Sequence, residues 1–140
     1  MKILYVDGMI DLSIVILSYN TKELLRECIT SIKRNTEKIS YEIIVVDNAS
    51  TDGSADIVVK EFTDVTLIAN KENIGYSKGN NQGVLKTKGK YVLFLNADTL
   101  VYKKVLETMA NFMDDHKKVG AATCRVELLN GKLDDSCHRV

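Results

Sequence analysis

Tyr91-Val92-Leu93-Phe94-Leu95-Asn96-Ala97-Asp98-Thr99 is the stretch that decides the fold, because an unbroken apolar run ends abruptly on polar residues. A short continuous apolar run is typical of a strand that is buried on both faces, as in the interior of a parallel sheet. In such sheets ligands bind just beyond the carboxyl ends of the strands. Asn96 and Asp98 are therefore expected where a parallel α/β fold places its ligands.

Asn96 and Asp98 offer an amide oxygen and a carboxylate side by side. Strand alternation would turn both side chains the same way. Hard oxygen ligands of this kind suit Mg²⁺ or Mn²⁺. The same residues also fit a plainer interpretation, in which Asp98 caps the following helix and Asn96 ends the strand in a turn.

Composition indicates one ordinary globular domain. The chain has 140 residues, and Lys plus Arg equals Asp plus Glu at 19 each, so no basic patch for nucleic acid or an anionic membrane is indicated. No apolar run is long enough to span a bilayer. Asp7 interrupts the opening residues 1–8 before they form the apolar region of a signal peptide. We therefore expect a cytoplasmic protein, with peripheral association with the membrane as an open alternative.

Cysteine and histidine indicate no metal or nucleophile site. Cys28, Cys124 and Cys137 are odd in number and form no CxxC pair, which favours reduced thiols over a disulfide or a zinc site. His116 and His138 are isolated, and no Ser–His–Asp set can be placed.

Apolar runs alternate with segments of helical periodicity, which predicts an α/β fold with a mostly parallel sheet. The predicted strands are 12–17, 41–46, 65–69, 90–95 and 119–124. The predicted helices run from a cap at Asn20 or Thr21 to about 34, over about 54–62, after 70–76, and over about 103–115. Residues 126–133 are predicted as a hairpin with a type I′ turn at Asn130-Gly131.

Three glycines, Gly75, Gly79 and Gly83, recur every four residues in the third predicted helix. Glycine is unfavourable inside a helix, so a face made of three needs a reason. Close packing on the sheet and close approach to a ligand both supply one.

Four polar clusters follow strands, at 18–21, 47–54, 70–75 and 96–98, and a parallel sheet would gather them along one edge. Neither GxGxxG after the first strand nor GxxxxGK[ST] is present, which argues against a dinucleotide-binding dehydrogenase and a P-loop enzyme. A nucleotide can still bind if Asp47 accepts a hydrogen bond from a base N–H and a divalent cation covers the diphosphate.

The combination of these clusters resembles family 2 glycosyltransferases. The matching segments, in order and spacing, are Ser-Ile-Val-Ile-Leu-Ser-Tyr-Asn (13–20), Val-Val-Asp-Asn-Ala-Ser-Thr-Asp-Gly-Ser (45–54), Asn-Ile-Gly (73–75) with Gly-Asn (79–80), and Leu-Phe-Leu-Asn-Ala-Asp-Thr (93–99). The resemblance extends from about residue 11 onward, and it is the combination that is specific.

The resemblance implies a GT-A fold, which is Rossmann-like, and an inverting transfer of a sugar from a nucleotide-diphosphate donor to an acceptor hydroxyl. Asp47 is implied to read the base. The implied nucleotide-sugar-binding residues are Ser18, Tyr19, Asn20, Asp47, Asn48, Ser50, Asn73, Gly75, Asn80, Asn96, Ala97 and Asp98.

Asp98 matches the second Asp of the family's DxD motif, so the resemblance implies that it binds Mn²⁺ or Mg²⁺. Asn96 replaces the first Asp, which keeps an acceptor for the ribose but lowers the expected metal affinity. Rhamnosyltransferase-like members carry Asn-x-Asp here, which favours a UDP- or dTDP-linked sugar as donor. The implied acceptor is a glycan or a lipid-linked molecule.

The family's general base lies in the half that follows this domain, so no catalytic residue is assigned. Residues 1–140 are expected to be a single donor-binding domain, truncated at the C-terminus, with an exposed apolar face through which copies self-associate. Asp134 and Asp135 are interpreted as a solvated turn after the hairpin.

Two other functions remain open. A non-catalytic module that binds a nucleotide sugar or a protein partner would have the same fold. A receiver-like or flavodoxin-like domain would use Asp47 as an acidic pocket residue, but a receiver needs an acidic pair after its first strand, and residues 18–20 supply none.

Overall fold

The computed structural model describes residues 10–128 and 130–134. Strands and helices alternate along these residues, as the sequence predicts. The elements are β1 (Leu12–Ser18), α1 (Lys22–Asn35), β2 (Tyr41–Asp47), α2 (Ser54–Glu61), β3 (Thr66–Ala69), α3 (Tyr76–Val84), β4 (Tyr91–Asn96) and α4 (Val105–Asp115).

The strands form a parallel sheet in the order β3-β2-β1-β4. Ser18 pairs with Asp47, and Leu17 pairs with Asn96. β1, β2 and β4 each run one residue further than their apolar runs predict, because the first polar residue still pairs with a neighbouring strand. The predicted mostly parallel α/β fold is confirmed, and the carboxyl ends of the strands meet at one edge.

The two faces of the sheet bury different apolar clusters. On one face Ile14 and Ile16 of β1 pack with α1, α2 and α4, and Leu25 and Leu106 belong to this larger core. On the other face Val15 packs with apolar side chains of β2 beneath α3. None of the helices in the described residues has the length and apolar character that crossing a bilayer requires.

Close packing accounts for two of the three glycines in the third predicted helix. A methyl group at Gly79 would overlap with Leu17, and one at Gly83 would overlap with Val15. Gly75 differs from the prediction, because it precedes α3 as the N-cap residue with φ +85°, and a methyl group added there would meet nothing within 4 Å. The glycine face therefore contacts the sheet, and Gly75 belongs to the turn that leads into the helix.

The predicted strand at 119–124 is wrong. These residues adopt no regular structure and are mostly exposed, and they pair with no strand among the described residues. Their apolar residues fit a strand locally, but a strand also needs a neighbour to satisfy its backbone groups.

The predicted hairpin at 126–133 is present in reduced form, as a single antiparallel bridge between Glu127 and Leu133. Its type I′ turn is wrong. Leu128 N–H donates to Lys132 O and Gly131 N–H donates to Leu128 O, both at 2.8 Å, which makes the connection three residues long. Gly131 has φ +78° and supplies the left-handed residue that such a connection needs.

Candidate functional site

The four polar clusters gather at the carboxyl edge of the sheet. Asp47 ends β2 and Asn96 ends β4, and β1 with its terminal Ser18 lies between them. Two strand spacings separate Asp47 from Asn96, which is roughly 10 Å. Asp47 and Asn96 are therefore close enough for one small ligand to contact both.

The loop after β1 and the loop after β2 hold each other through Asn20 and Ser50. Asn20 N–H donates to Ser50 Oγ at 2.9 Å, and Asn20 Oδ1 accepts from Thr51 N–H at 2.8 Å. Asn20 itself has φ +53°, a conformation that asparagine tolerates better than most residues. Asn20 therefore uses its backbone N–H and Oδ1 to connect the two loops. Tyr19 beside it is about half exposed, at 51%.

Asp52 supplies the cap that the sequence assigned to Asn20 or Thr21. Thr21 is the N-cap residue of α1 but makes no side-chain cap bond, and Asp52 Oδ2 accepts from Lys22 N–H at 2.9 Å. Asp52 Oδ1 accepts from Ser54 N–H at 2.9 Å. Burial raises the pKa of Asp52, but the hydrogen bond from the Ser54 hydroxyl, together with those from Lys22 N–H and Ser54 N–H, outweighs burial and holds the pKa below its usual value. Asp52 therefore fixes the start of two helices at this edge.

Asp47 has a buried side-chain acceptor that the described residues leave without a partner. Its side chain is 2% exposed, and Oδ2 accepts from Ser50 N–H at 2.9 Å. Oδ1 is buried and has no hydrogen-bond partner within the described residues. Leaving a buried acceptor unpaired costs about 1–3 kcal/mol. A ligand that donates a hydrogen bond to Oδ1 would recover that free energy.

Asn48 lies next to Asp47 and is as deeply buried, at 2% exposure. Its Nδ2 donates to Asn73 Oδ1 at 3.2 Å and to Gly75 O at 3.4 Å, and its Oδ1 accepts from Asn70 Nδ2 at 3.0 Å. Asn73 Oδ1 also accepts from Gly75 N–H at 2.9 Å. Asn48 thus holds the turn that leads into α3 against the end of β2.

Ser18 and Asn80 are buried, and each makes a hydrogen bond close to it in the chain. Ser18 Oγ lies 2.9 Å from Thr21 Oγ1, and Asn80 Nδ2 donates to Tyr76 O at 3.1 Å. The structure therefore divides the twelve predicted site residues. Most hold the edge together, and those whose side chains are exposed on it are Tyr19, Asn20, Asn73, Asn96 and Asp98.

Asn96 and Asp98 are both exposed, and Ala97 between them is buried. The common orientation of the two side chains stays a prediction. Thr99 N–H donates to Asn96 O at 3.1 Å, which closes a turn after β4. α4 begins only at Val105, so the interpretation of Asp98 as the cap of that helix is wrong. The Asp98 carboxylate is therefore not used for capping.

The charge of Asp98 acts on a buried thiol behind it. Burial raises the pKa of Cys28 to about 12, and the negative charge of Asp98 adds to the shift. Cys28 Sγ donates to Asn96 O at 3.8 Å. Cys28 is therefore a protonated, structural thiol under the turn that carries Asn96 and Asp98.

A metal site made by protein side chains alone is absent from the described residues, which contain no group of three His, Cys, Asp or Glu side chains placed for one. One carboxylate and one amide oxygen do fit a cation that arrives with a nucleotide. Mg²⁺ and similar hard cations are commonly held by one or two carboxylates together with substrate phosphates. Asp98 and Asn96 suit that arrangement.

Sequence comparison gives the family. Residues 13–133 match the sequence profile of Glycosyl transferase family 2. The chain is 35% identical over 111 residues to a poly(ribitol-phosphate) beta-glucosyltransferase of Bacillus spizizenii, which covers 76% of this chain and 18% of that protein. It is 30% identical over 112 residues to the poly(ribitol-phosphate) beta-N-acetylglucosaminyltransferase TarS of Staphylococcus aureus, covering 77% and 20%. The chain thus spans about a fifth of the length of these relatives.

Solved structures show the same fold. S. aureus TarS 1-349 in complex with UDP superposes with a TM-score of 0.70 at 25% identity, over 87% of this chain and 43% of that one. The mannosyltransferase PcManGT of Pyrobaculum calidifontis, in complex with GDP-Man and Mn²⁺, gives 0.62 at 26% identity, over 75% and 32%. The predicted GT-A fold is confirmed, and the rhamnosyltransferase-like subtype stays a prediction. The chain belongs to glycosyl transferase family 2.

Proposed function

We propose that this chain binds a nucleotide-diphosphate sugar along the carboxyl edge of its sheet, as the donor-binding part of an inverting, metal-dependent glycosyltransferase. The observation that carries the proposal is the buried, unpartnered Oδ1 of Asp47. It is an acceptor at the end of a central strand, in the part of a parallel α/β sheet where ligands bind.

The base is the part of the donor that suits Asp47. Uracil and thymine each present a ring N–H that can donate to a carboxylate oxygen, and pairing it removes the cost of the unsatisfied acceptor. Donors linked to UDP or dTDP are therefore the expected class. The similarity to S. aureus TarS, solved with UDP and with UDP-GlcNAc, supports this choice.

The diphosphate then extends across β1 toward Asn96 and Asp98, about two strand spacings away. Asp98 would hold Mn²⁺ or Mg²⁺ together with phosphate oxygens, and Asn96 would accept a hydrogen bond from the ribose. A bound cation supplies stabilisation of the negative charge that builds on the departing diphosphate. The similarity to PcManGT, solved with GDP-Man and Mn²⁺, supports a divalent cation here.

No described residue is assigned the deprotonation of the acceptor. Asp47 and Asp52 accept hydrogen bonds from backbone N–H groups of their own chain, and Asp98 is assigned to the cation. Asp134 N–H donates to Val126 O at 2.9 Å, so Asp134 continues the hairpin, while Asp135 lies outside the described residues. We propose that residues 1–140 act with a further acceptor-binding part, in the cytoplasm, on a glycan or lipid-linked acceptor.

A module that binds a nucleotide sugar without transferring it is the second candidate. What favours it is that Asp52 caps Lys22 N–H and Asp47 is assigned to the base, so neither is left to take a proton from an acceptor. Transfer activity separates the two candidates, and nucleotide binding is common to both.

Calorimetric titration of the full 140-residue chain with UDP and with dTDP, each with and without Mn²⁺, tests the proposal. We expect tight binding that needs Mn²⁺ and that is lost in Asp98→Ala. Binding that neither the metal nor the variant affects would overturn the metal assignment, and no binding of either nucleotide would overturn the donor site in this chain. Transfer from a UDP-sugar to an added acceptor then separates the enzyme from the binding module.

A further inference from the structure

A row of side-chain amides links α3 to the carboxyl edge. Gln82 and Asn70 exchange two hydrogen bonds, each at 3.0 Å, from Gln82 Nε2 to Asn70 Oδ1 and from Asn70 Nδ2 to Gln82 Oε1. Asn70 Nδ2 also donates to Asn48 Oδ1 at 3.0 Å. Asn48 in turn donates to Asn73 Oδ1 and Gly75 O. We call Gln82, Asn70, Asn48 and Asn73 the amide row.

Two backbone groups of Gly75 determine the orientation of every amide in the row. Gly75 O can only accept, so Asn48 must present Nδ2 to it, and Asn48 Oδ1 then faces Asn70. That oxygen needs a donor, so Asn70 presents Nδ2 and leaves Oδ1 for Gln82. Gly75 N–H requires the oxygen of Asn73 in the same way. A rotated amide anywhere in the row would place two oxygens or two NH₂ groups against each other.

The amide row contacts the candidate site on both sides of Asn48, through Asn70 and through Asn73. Asn70 N–H donates to Asp47 O at 2.9 Å, and Asn48 is the next residue after Asp47. At the other end, the bonds made by Asn73 Oδ1 leave its Nδ2 without a partner in the described part of the chain. The exposed Asn73 side chain therefore presents a hydrogen-bond donor whose position depends on Asn48.

We propose that Gln82, which sequence reasoning did not select, is a positioning residue for the nucleotide site. Through Asn70 and Asn48 it holds the Asn73–Gly75 turn in the conformation that receives the donor. This inference rests on the proposed function, because it assumes that the edge binds a nucleotide. The side-chain amide of Gln82 bonds to Asn70, so Gln82 is proposed to act on the site through the other amides of the row.

The test is the UDP affinity of Gln82→Leu in the presence of Mn²⁺, measured by calorimetry on the full chain. Leucine keeps the approximate size and removes both hydrogen bonds to Asn70. Loss of about one net hydrogen bond predicts roughly threefold to tenfold weaker binding. Asn81→Leu makes the same kind of change at the exposed neighbouring residue and should bind UDP as the unmodified chain does.

Three further variants separate positioning from plain stability. Asn70→Leu should weaken binding by a similar factor, and combining it with Gln82→Leu should add little, because both remove the same link. The exchange Asn70→Gln with Gln82→Asn keeps two amides facing each other and should recover most of the affinity. A purely structural role would lower the unfolding midpoint of Gln82→Leu and leave the UDP affinity of the folded protein unchanged, which would overturn the inference.

Nuclear magnetic resonance of the ligand-free chain distinguishes failure of this inference from failure of the proposed function. Gln82→Leu should shift the Asn48 side-chain NH₂ and the Gly75 amide resonances, whereas Asn81→Leu should leave them in place. Unshifted resonances would overturn the amide row whatever the nucleotide result. If they shift but the unmodified chain binds neither UDP nor dTDP, the row exists and its role in nucleotide binding is overturned together with the proposed function.

Discussion

Gly83 of α3 lies directly against Val15 of β1, so closely that a methyl group at position 83 would overlap with Val15 Cγ1. Val15 is fully buried and β-branched, which leaves its side chain little freedom to move aside. The approach of α3 to the centre of the sheet therefore depends on the absence of a side chain at this position.

We expect Gly83→Ala to lower the free energy of unfolding by about 1–2 kcal/mol. An overlap this close should cost about 2–3 kcal/mol, the upper part of the range for overpacked cores. The gain in helix propensity offsets about 1 kcal/mol of that cost. Urea unfolding followed by circular dichroism measures the change. Gly120→Ala, where nothing lies within 4 Å of the added methyl group, is the control and should be neutral. Equal stability of the two variants would contradict the packing argument.

Asp47→Asn should weaken UDP binding roughly 10-fold to 100-fold, because a hydrogen bond to a charged acceptor contributes about 1.5–3 kcal/mol. The asparagine oxygen can still accept from Ser50 N–H, so the variant should stay folded. Calorimetry with UDP and Mn²⁺ measures the loss of affinity.

Asp52→Asn is the matched control for that variant, at the same edge and with the same change of charge. It weakens the cap on Lys22 N–H, so we expect lower stability with UDP affinity nearly unchanged. If Asp52→Asn reduced UDP affinity as much as Asp47→Asn, charge at the edge rather than a base contact would explain both results.

Much of the fold follows from the sequence because the decisive information is local. Apolar runs mark the strands, and the first polar residue after each run marks the carboxyl edge, as Asp47 and Asn96 show. The wrong strand at 119–124 has the same cause, since local apolar character cannot say whether a neighbouring strand exists.

The candidate site could be predicted only as a set of residues, without their connections. Asp52 caps a helix 30 residues earlier in the chain, and Gln82 pairs with Asn70 across 12 residues. Such contacts depend on side-chain positions that the fold creates, and no spacing rule indicates them. The signal for Gln82 was a half-buried amide on the helix face toward the sheet, which becomes visible only once that face is known.

The carboxylate of Asp114 gives a pH-dependent contribution to stability. Hydrogen bonds from Lys90, then Tyr91 and Lys117, hold the pKa of Asp114 well below its usual value. A depressed folded-state pKa stabilises the fold above the unfolded value of about 3.9, and the contribution is lost as the pH falls through the folded pKa. The side chain is 42% exposed, so solvent screening limits the effect to less than about 1 kcal/mol.

Asp114→Asn should therefore be less stable than the unmodified chain at pH 7, and the difference should shrink as the pH falls below about 4. Urea unfolding at a series of pH values measures it. Asp115→Asn changes the adjacent, exposed carboxylate and should leave the stability at pH 7 nearly unchanged. A pH-independent difference for Asp114→Asn would mean that its contribution is packing rather than charge.

The outer edge of β4 should mediate self-association. No described strand pairs with β4 on the side away from β1, and Val92 and Phe94 are 38% and 50% exposed. An unpaired apolar edge strand without charged residues is a template for pairing with another chain. Sedimentation velocity over a concentration series should show dimers that Phe94→Lys removes. Val59→Lys, on an exposed position of α2, should leave them intact. A monomer at every concentration would contradict the prediction.

Asn96 and Asp98 allow the metal assignment to be tested in both directions. Asn96→Asp adds a second carboxylate beside Asp98, and a second charged ligand should strengthen binding of a hard cation. A gain of roughly 1 kcal/mol corresponds to about fivefold tighter UDP binding in Mn²⁺. Without metal the same variant should bind UDP more weakly, because the added charge then faces the diphosphate. Asp98→Asn should bind UDP equally weakly with Mn²⁺ and with a chelator.

Opposite effects of Asn96→Asp with and without Mn²⁺ are specific to a cation shared between this pair and the diphosphate. A change in general stability would move both affinities in the same direction. If Mn²⁺ changes the UDP affinity of neither variant nor of the unmodified chain, the metal assignment is wrong, and Asn96 and Asp98 only form the turn after β4.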